Sequence, residues 1–122
     1  RQMCIRDTCT VIRLENEIET DLNIRVDTVR FTQALMSALT YPQKYKEKRE
    51  IDFKVTLDTE KHFINFRITN SPLADERFTS QEVCIRHEIN RLLFEYFGGS
   101  YKVQTNPDGK PAILFTFPSG RN

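Results

Sequence analysis

Asp27-Thr28-Val29-Arg30-Phe31-Thr32-Gln33-Ala34-Leu35-Met36-Ser37-Ala38-Leu39-Thr40-Tyr41-Pro42 is the stretch around which the chain is organised. Phe31, Ala34, Leu35, Ala38 and Leu39 follow the i, i+3, i+4, i+7, i+8 spacing of a helix with one buried face, while Arg30, Gln33 and Ser37 turn away from it. Asp27 or Thr28 can accept from the first free N–H groups. Pro42 disfavours the α region at Tyr41, so the helix should stop there or one residue earlier. Residues 43–50 then read as a charged connection into a strand.

Beyond that connection, Ile51, Phe53, Val55 and Leu57 alternate with Asp52, Lys54 and Thr56, the pattern of a strand with one buried face. A turn at residues 58–61 leads to a second strand carrying Phe63 or Ile64, Phe66 and Ile68, which predicts an antiparallel hairpin. Asn70-Ser71-Pro72 ends it, because Pro cannot extend the ladder and Asn and Ser favour turns. After a loop at residues 73–79, Thr79 or Ser80 opens a second helix, with Glu82 near its positive end. Val83, Ile85, Ile89, Leu92, Leu93 and Tyr96 form a wide apolar stripe on it, and Gly98-Gly99 closes it. Residues 100–104 and 112–117 form a last hairpin around Asn106-Pro107-Asp108-Gly109.

Upstream of the first helix, residues 9–15 read as a strand and residues 23–26 as a second, shorter one. Residues 1–9 are assigned to the remnant of an upstream connector, residues 10–118 to one domain and residues 119–122 to a tail. The order β-β-α-β-β-α-β-β predicts an α/β (α+β) two-layer sandwich, with a mixed, mostly antiparallel sheet covered on one face by helices.

The 122 residues, 39% of them hydrophobic, suit one core rather than two. A formal charge of +1 provides no net field towards nucleic acid or a membrane surface. Cys4, Cys9 and Cys84 are an odd count without a CxxC, which fits reduced thiols in a cytoplasmic protein better than disulfides or a metal site. No apolar run approaches the roughly 20 residues that span a bilayer, and no signal peptide opens the chain, so no direct membrane insertion is expected. A first residue other than Met suggests a piece of a longer protein.

Several phrases resemble the ATP-binding domain of bacterial sensor histidine kinases, the GHKL or Bergerat fold, over most of residues 10–118. Arg30-Phe31-Thr32-Gln33-Ala34-Leu35-Met36-Ser37-Ala38-Leu39 is similar to that family's helix R-L-x-Q-V-L-x-N-L-L, which continues into S-N-A-x-K. Lys44-Tyr45 falls where its Lys and aromatic neighbour stand. Phe97-Gly98-Gly99-Ser100-Tyr101-Lys102-Val103, then Gly109 and Leu114-Phe115-Thr116-Phe117-Pro118, resemble the closing G-G-x-I-x-V … G-x-G-T-x-F-x-F-x-L-P.

The resemblance also implies where nucleotide chemistry should sit, and this chain departs from it in three places. The family's metal-coordinating Asn falls on Tyr41 and the earlier Asn of the same helix on Ser37; a phenol cannot replace a short carboxamide at an octahedral Mg²⁺. The D-x-G-x-G that receives adenine becomes Asn70-Ser71-Pro72-Leu73, with Asn for Asp and a stiff, donor-less Pro for Gly. All four glycines lie after Phe97, so no glycine-rich phosphate lid can precede the second helix. Ser37, Tyr41, Lys44, Asn70 and Pro72 are thus expected to be vestigial nucleotide-pocket positions, with Tyr41 and Tyr45 filling space that a ligand would use.

The expectation is a non-catalytic or regulatory histidine kinase-like ATPase domain of a two-component signalling protein, unable to bind ATP. It carries no catalytic residue, cofactor or metal. Its partners are other domains of the parent sensor or a signalling protein, not nucleic acid. The alternative is a divergent but working ATP-binding domain that takes ATP and Mg²⁺ through Lys44, Asn70 and nearby backbone. A third possibility is a scaffold unrelated to signalling. Arg86-His87-Glu88-Ile89-Asn90-Arg91 superficially resembles the phosphoacceptor phrase S-H-E-I-R-x-P-L, but it lacks the Pro and follows the ATPase-like strands, so His87 is expected to be a surface or boundary residue. His62, near the hairpin turn, is expected to be solvated, and no Ser-His-Asp, Cys-His or paired-carboxylate set is present.

Overall fold

The protein, seen in a computed structural model, is described for residues 2–5, 10–18, 27–41, 49–58, 60 and 62–119. Its strands are β1 (Gln2–Ile5), β2 (Thr10–Asn16), β3 (Arg49–Asp58), β4 (Phe63–Thr69), β5 (Ser100–Thr105) and β6 (Pro111–Pro118). Helix α1 (Thr28–Thr40) joins β2 to β3, and α2 (Gln81–Tyr96) joins β4 to β5 after two 3₁₀ turns, Pro72–Ala74 and Glu76–Phe78. The sheet order is β1-β2-β3-β4-β6-β5. Among the described residues, only β2 and β3 run parallel, as expected of a crossover that contains a helix; every other pair there is antiparallel. The mixed, mostly antiparallel two-layer sandwich read from the sequence is the fold observed.

The N-terminus differs from expectation. Gln2–Ile5, assigned to a connector, pairs antiparallel with β2 and forms one edge of the sheet. Its four residues are too few to display a period, so pairing rather than pattern decides its state. The expected strand at residues 23–26 lies outside the described residues.

Helix α1 begins and ends as its sequence indicates. Asp27 is the N-cap, accepting from the Arg30 N–H at 3.1 Å, and Tyr41 leaves the helix in an extended conformation at ψ 136°. Ala34, Ala38 and Leu39 are buried on the sheet. Phe31 stands at the centre of an aromatic cluster, edge-on to Phe66, Phe94, Phe115 and Phe117 with ring centroids 5.6 to 6.4 Å apart. Edge-to-face pairs of this kind are worth about 1 kcal/mol each beyond burial, so α1 is anchored chiefly through its first turn and its alanines.

Helix α2 is capped by Ser80, whose side chain accepts from the Val83 N–H at 3.1 Å. It ends at Gly98, whose φ of 85° is the left-handed conformation of a C′ glycine. It buries only part of the apolar stripe that its sequence displays. Val83, Asn90 and Phe94 face the sheet, with Phe94 stacked on Phe115 at 4.9 Å and on Tyr101 at 5.4 Å, while Ile85, Ile89, Leu92 and Tyr96 are exposed.

Candidate functional site

Ser37 and Tyr41 lie one turn apart on the edge of α1 that the resemblance assigns to metal and phosphate. A side chain from α2 covers both. Nη1 of Arg86 donates to Ser37 Oγ at 3.2 Å, and the guanidinium carbon lies 4.8 Å from the centre of the Tyr41 ring. Nη2 donates to Glu82 one turn back on α2 at 3.2 Å, which fixes the side chain from behind. Nε is buried and has no acceptor among the described residues. A cation over an aromatic face is attracted by the ring quadrupole, so Tyr41 supplies a seat for Arg86.

Beside this contact an open cleft of about 450 Å³ is lined by Gln33, Met36, Ser37, Thr40, Tyr41 and Arg86. A second cleft, about 240 Å³, continues between the helices past Arg30, Ala34 and Asn90.

Asn70 and Pro72 belong to the loop that follows β4. Asn70 adopts φ 67°, a left-handed conformation that Asn tolerates better than most residues, and its carboxamide is used at both ends. Oδ1 accepts from Arg49 at 3.2 Å and Nδ2 donates to the Glu50 carbonyl at 2.9 Å. Arg49, only 5% exposed, also donates to the Asn70 carbonyl at 3.0 Å and to Asp75 Oδ2 at 2.5 Å. Burial alone would raise the Asp75 pKa, but hydrogen bonds from Arg77 and Arg49 outweigh it and hold the carboxyl well below the usual carboxylate range. Pro72 is buried at the first position of a 3₁₀ turn, where its missing N–H costs nothing.

The intervening Ser71 has no exposed surface, and its hydroxyl donates to the Ala38 carbonyl of α1 at 2.5 Å. That carbonyl needs an outside donor, because the residue four positions on is Pro42 and has no N–H. Two residues on, the carbonyl of Leu73 accepts from His87 of α2 at 3.1 Å. The loop is therefore bonded to both helices, and Arg86 bonds the helices to each other. Three segments that border the site hold one another pairwise.

His87 sits at the boundary as expected, with both ring nitrogens engaged. A carbonyl can only accept, so Nε2 carries the proton donated to Leu73, and Nδ1 accepts from the Tyr101 hydroxyl at 2.7 Å. Burial pushes the imidazole pKa down, despite an opposing effect of the Leu73 carbonyl. Burial likewise pushes the Tyr101 phenol up to about 12, opposed by the hydrogen bond from Asn90. Neutral His87 with a donating Tyr101 is the arrangement these shifts favour. It leaves no ring nitrogen available to attack a phosphoryl group. His62, by contrast, is exposed at a left-handed φ of 58°.

The sequence brought Ser37, Tyr41, Asn70 and Pro72 to notice, and the structure divides them between two neighbouring places. Ser37 and Tyr41 form a helix edge beneath Arg86; Asn70 and Pro72 form a buried loop anchor. Lys44 and Tyr45 lie outside the described residues. Arg86, Arg49 and Asp75 were not anticipated in these roles, and only the Glu82–Arg86 i, i+4 spacing hinted that Arg86 would be held.

The same architecture recurs in solved structures. The nucleotide-free catalytic domain of histidine kinase ThkA superposes with a TM-score of 0.66 at 14% identity, covering 93% of this chain and 80% of that one. Full-length ShkA in complex with AMPPNP gives 0.62 at 14% identity, over 91% of this chain and 26% of that one. The Acinetobacter baumannii histidine kinase AdeS gives 0.61 at 12%, over 93% and 56%. No family model and no curated protein matches the sequence. The chain has the fold of a histidine kinase catalytic, or ATPase, domain. Among the described residues, no helix is long and apolar enough to cross a membrane.

Proposed function

We propose that this is a histidine kinase-like ATPase domain that has given up Mg-ATP and serves as a regulatory or interaction module in a bacterial two-component signalling protein. The observation that carries the proposal is Arg86. Its guanidinium rests on Tyr41, the position that the resemblance gives to the metal-coordinating Asn, and on Ser37, the position of the earlier Asn of the same helix. A fixed cation there repels Mg²⁺, and neither a hydroxyl nor a phenol beneath it replaces the lost ligands. Asn70 adds to this, since both ends of the amide that would meet adenine are spent on Arg49 and Glu50. The fold supports a place beside other domains of a cytoplasmic sensor, with proteins rather than nucleic acid as partners.

The second reading, a divergent ATP-binding domain, is favoured by the cleft of about 450 Å³ left open beside Tyr41. Calorimetric titration decides between them. No saturable heat with ATP and Mg²⁺ up to about millimolar concentration is expected; a Kd below about 1 mM establishes the second reading instead.

A further inference from the structure

The face of the sheet turned away from the helices carries a hollow of its own. Phe53, Val55, Phe66, Ile68, Phe115 and Phe117 belong to the core, so the residues that alternate with them in β3, β4 and β6 point to the open side. Register places Lys54, Arg67 and Leu114 side by side in one row, and Thr56, Asn65 and Thr116 in the next. All six are half-buried and line a depression of about 280 Å³. A row of long side chains beside a row of short ones leaves the space between them.

The charge around it is unevenly relieved. Lys54 and Arg67 stand directly opposite across an antiparallel pair, a placement in which like charges repel. Lys54 is compensated on its far side, where its ammonium pairs with Glu17 at 3.1 Å and Glu15 at 3.8 Å, on and just beyond β2. Arg67 is not. Its Nη1 donates to the Asn106 carboxamide at 3.2 Å, and among the described residues no carboxylate pairs with it. Strands β4, β5 and β6 contain no Asp or Glu, and Lys102 of β5 continues the row beyond Leu114. Asp52 and Asp58 flank Lys54 and Thr56 along β3 but do not line the depression.

The second row adds neutral donors. The Thr56 hydroxyl and the Asn65 carboxamide bond to no other described residue, and the Thr116 hydroxyl meets that of Ser100 at 2.9 Å. With Nη1 of Arg67 taken by Asn106, Nε and Nη2 remain, the side-on pair that grips two oxygens of one anion. A phosphate monoester, with three terminal oxygens and nearly two charges, uses this donor set more fully than a carboxylate.

We propose that this depression binds a phosphate monoester group, held by Arg67 and completed by Thr56, Asn65 and Thr116. It lies across the sheet from Ser37 and Tyr41, so the proposal does not depend on whether the domain binds Mg-ATP.

A titration followed by amide ¹H–¹⁵N NMR at about 0.15 M salt tests it. N-acetyl-phosphoserine amide and glycerol 3-phosphate share the phosphate and differ in what carries it. Either should produce saturable shifts with a millimolar Kd, centred on the amides around Thr56, Asn65 and Thr116; the tighter of the two shows whether the phosphate belongs to a polypeptide or to a small molecule. N-acetyl-glutamate amide should bind more weakly. Arg67→Gln should raise the Kd about tenfold, and Asn65→Asp, which places a carboxylate among the donors at nearly constant volume, should abolish binding. Arg13→Gln removes the same charge from the same face outside the depression and should leave the Kd unchanged. Unaltered amide shifts in α1 and α2 report that each variant is folded. Absence of saturable shifts, carboxylate binding as tight as phosphate binding, or an equal response to Arg13→Gln and Arg67→Gln overturns the proposal.

Discussion

The guanidinium of Arg86 lies 4.8 Å from the centre of the Tyr41 ring and 3.2 Å from Ser37 Oγ, so a residue from one helix covers two from another. Arg86→Ala removes a cation–π contact, a hydrogen bond and an i, i+4 ion pair, all partly exposed. The expected loss is about 1 to 2 kcal/mol in urea unfolding. Uncovering Ser37 and Tyr41 does not supply metal ligands. The variant should therefore remain silent in titrations with ATP and Mg²⁺; a saturable heat would identify Arg86 as a plug over a competent site.

Asp75 is held below the usual carboxylate range by Arg77 and Arg49 despite its burial. A depressed folded-state pKa means that the unfolded chain binds the proton more tightly. The stabilisation is thus complete above the ordinary Asp pKa of about 3.9 and is lost as pH falls below it. Asp75→Asn removes the carboxylate charge that faces the buried Arg49 and should cost about 3 kcal/mol at neutral pH. Denaturation midpoints measured down to about pH 2 should fall less steeply in the variant than in the native chain.

His87 gives a pH dependence in a separate window. Its pKa is lowered by burial, so below the ordinary value of about 6.5 the unfolded chain takes up protons that the folded chain resists. Stability should rise with pH between about 5 and 7, with a slope below 1.4 kcal/mol per unit for one group. His87→Gln should flatten that slope, as chemical denaturation at half-unit pH intervals would show.

Much of the fold was legible because backbone signals are local. Asp27, Pro42, Ser80, Gly98 and the Asp108-Gly109 turn each act within a few residues of their own position, and the alternation in β3 and β4 needs no knowledge of the rest of the chain. The buried face of α2 was not legible. Ile85, Ile89, Leu92 and Tyr96 look like a core face by hydrophobicity, yet the helix turns Asn90 and His87 inward because Tyr101, in the following strand, satisfies both. Burial of a polar side chain depends on a partner distant in sequence, and no periodicity reveals it. Likewise Ser37 and Tyr41 could be placed on α1 from the sequence, whereas their cover, Arg86, arrives from 49 positions beyond Ser37.

Ser71 tests how firmly the loop is tied to α1. Its buried hydroxyl is the donor to an Ala38 carbonyl that Pro42 cannot serve. Ser71→Ala leaves that carbonyl without this donor and should cost about 1 to 3 kcal/mol. Because the same loop receives His87 at Leu73, hydrogen exchange should accelerate in the Pro72–Ala74 turn more than in β3, whose partners are unchanged. Uniform acceleration would mean that Ser71 supports global stability without organising the loop.

Glycine requirements separate into two physical causes at Gly99 and Gly109. A Cβ on Gly99 would lie 1.8 Å from the Thr116 carbonyl oxygen and 2.9 Å from its carbon, so the start of β5 must move away from β6. Backbone has no rotamer with which to yield. Gly109, at φ 86°, has nothing within 4 Å of a built Cβ, so substitution there costs only conformational strain. Gly109→Ala is expected to lose about 1 kcal/mol. Gly99→Ala should lose about 3 kcal/mol and reduce the protection of the β5 amides, because the Ser100–Thr116 pairing next to it opens first. Equal losses at the two positions in urea unfolding would show that β6 can shift at little cost, and that the α2–β5 corner is less tightly packed than these distances require.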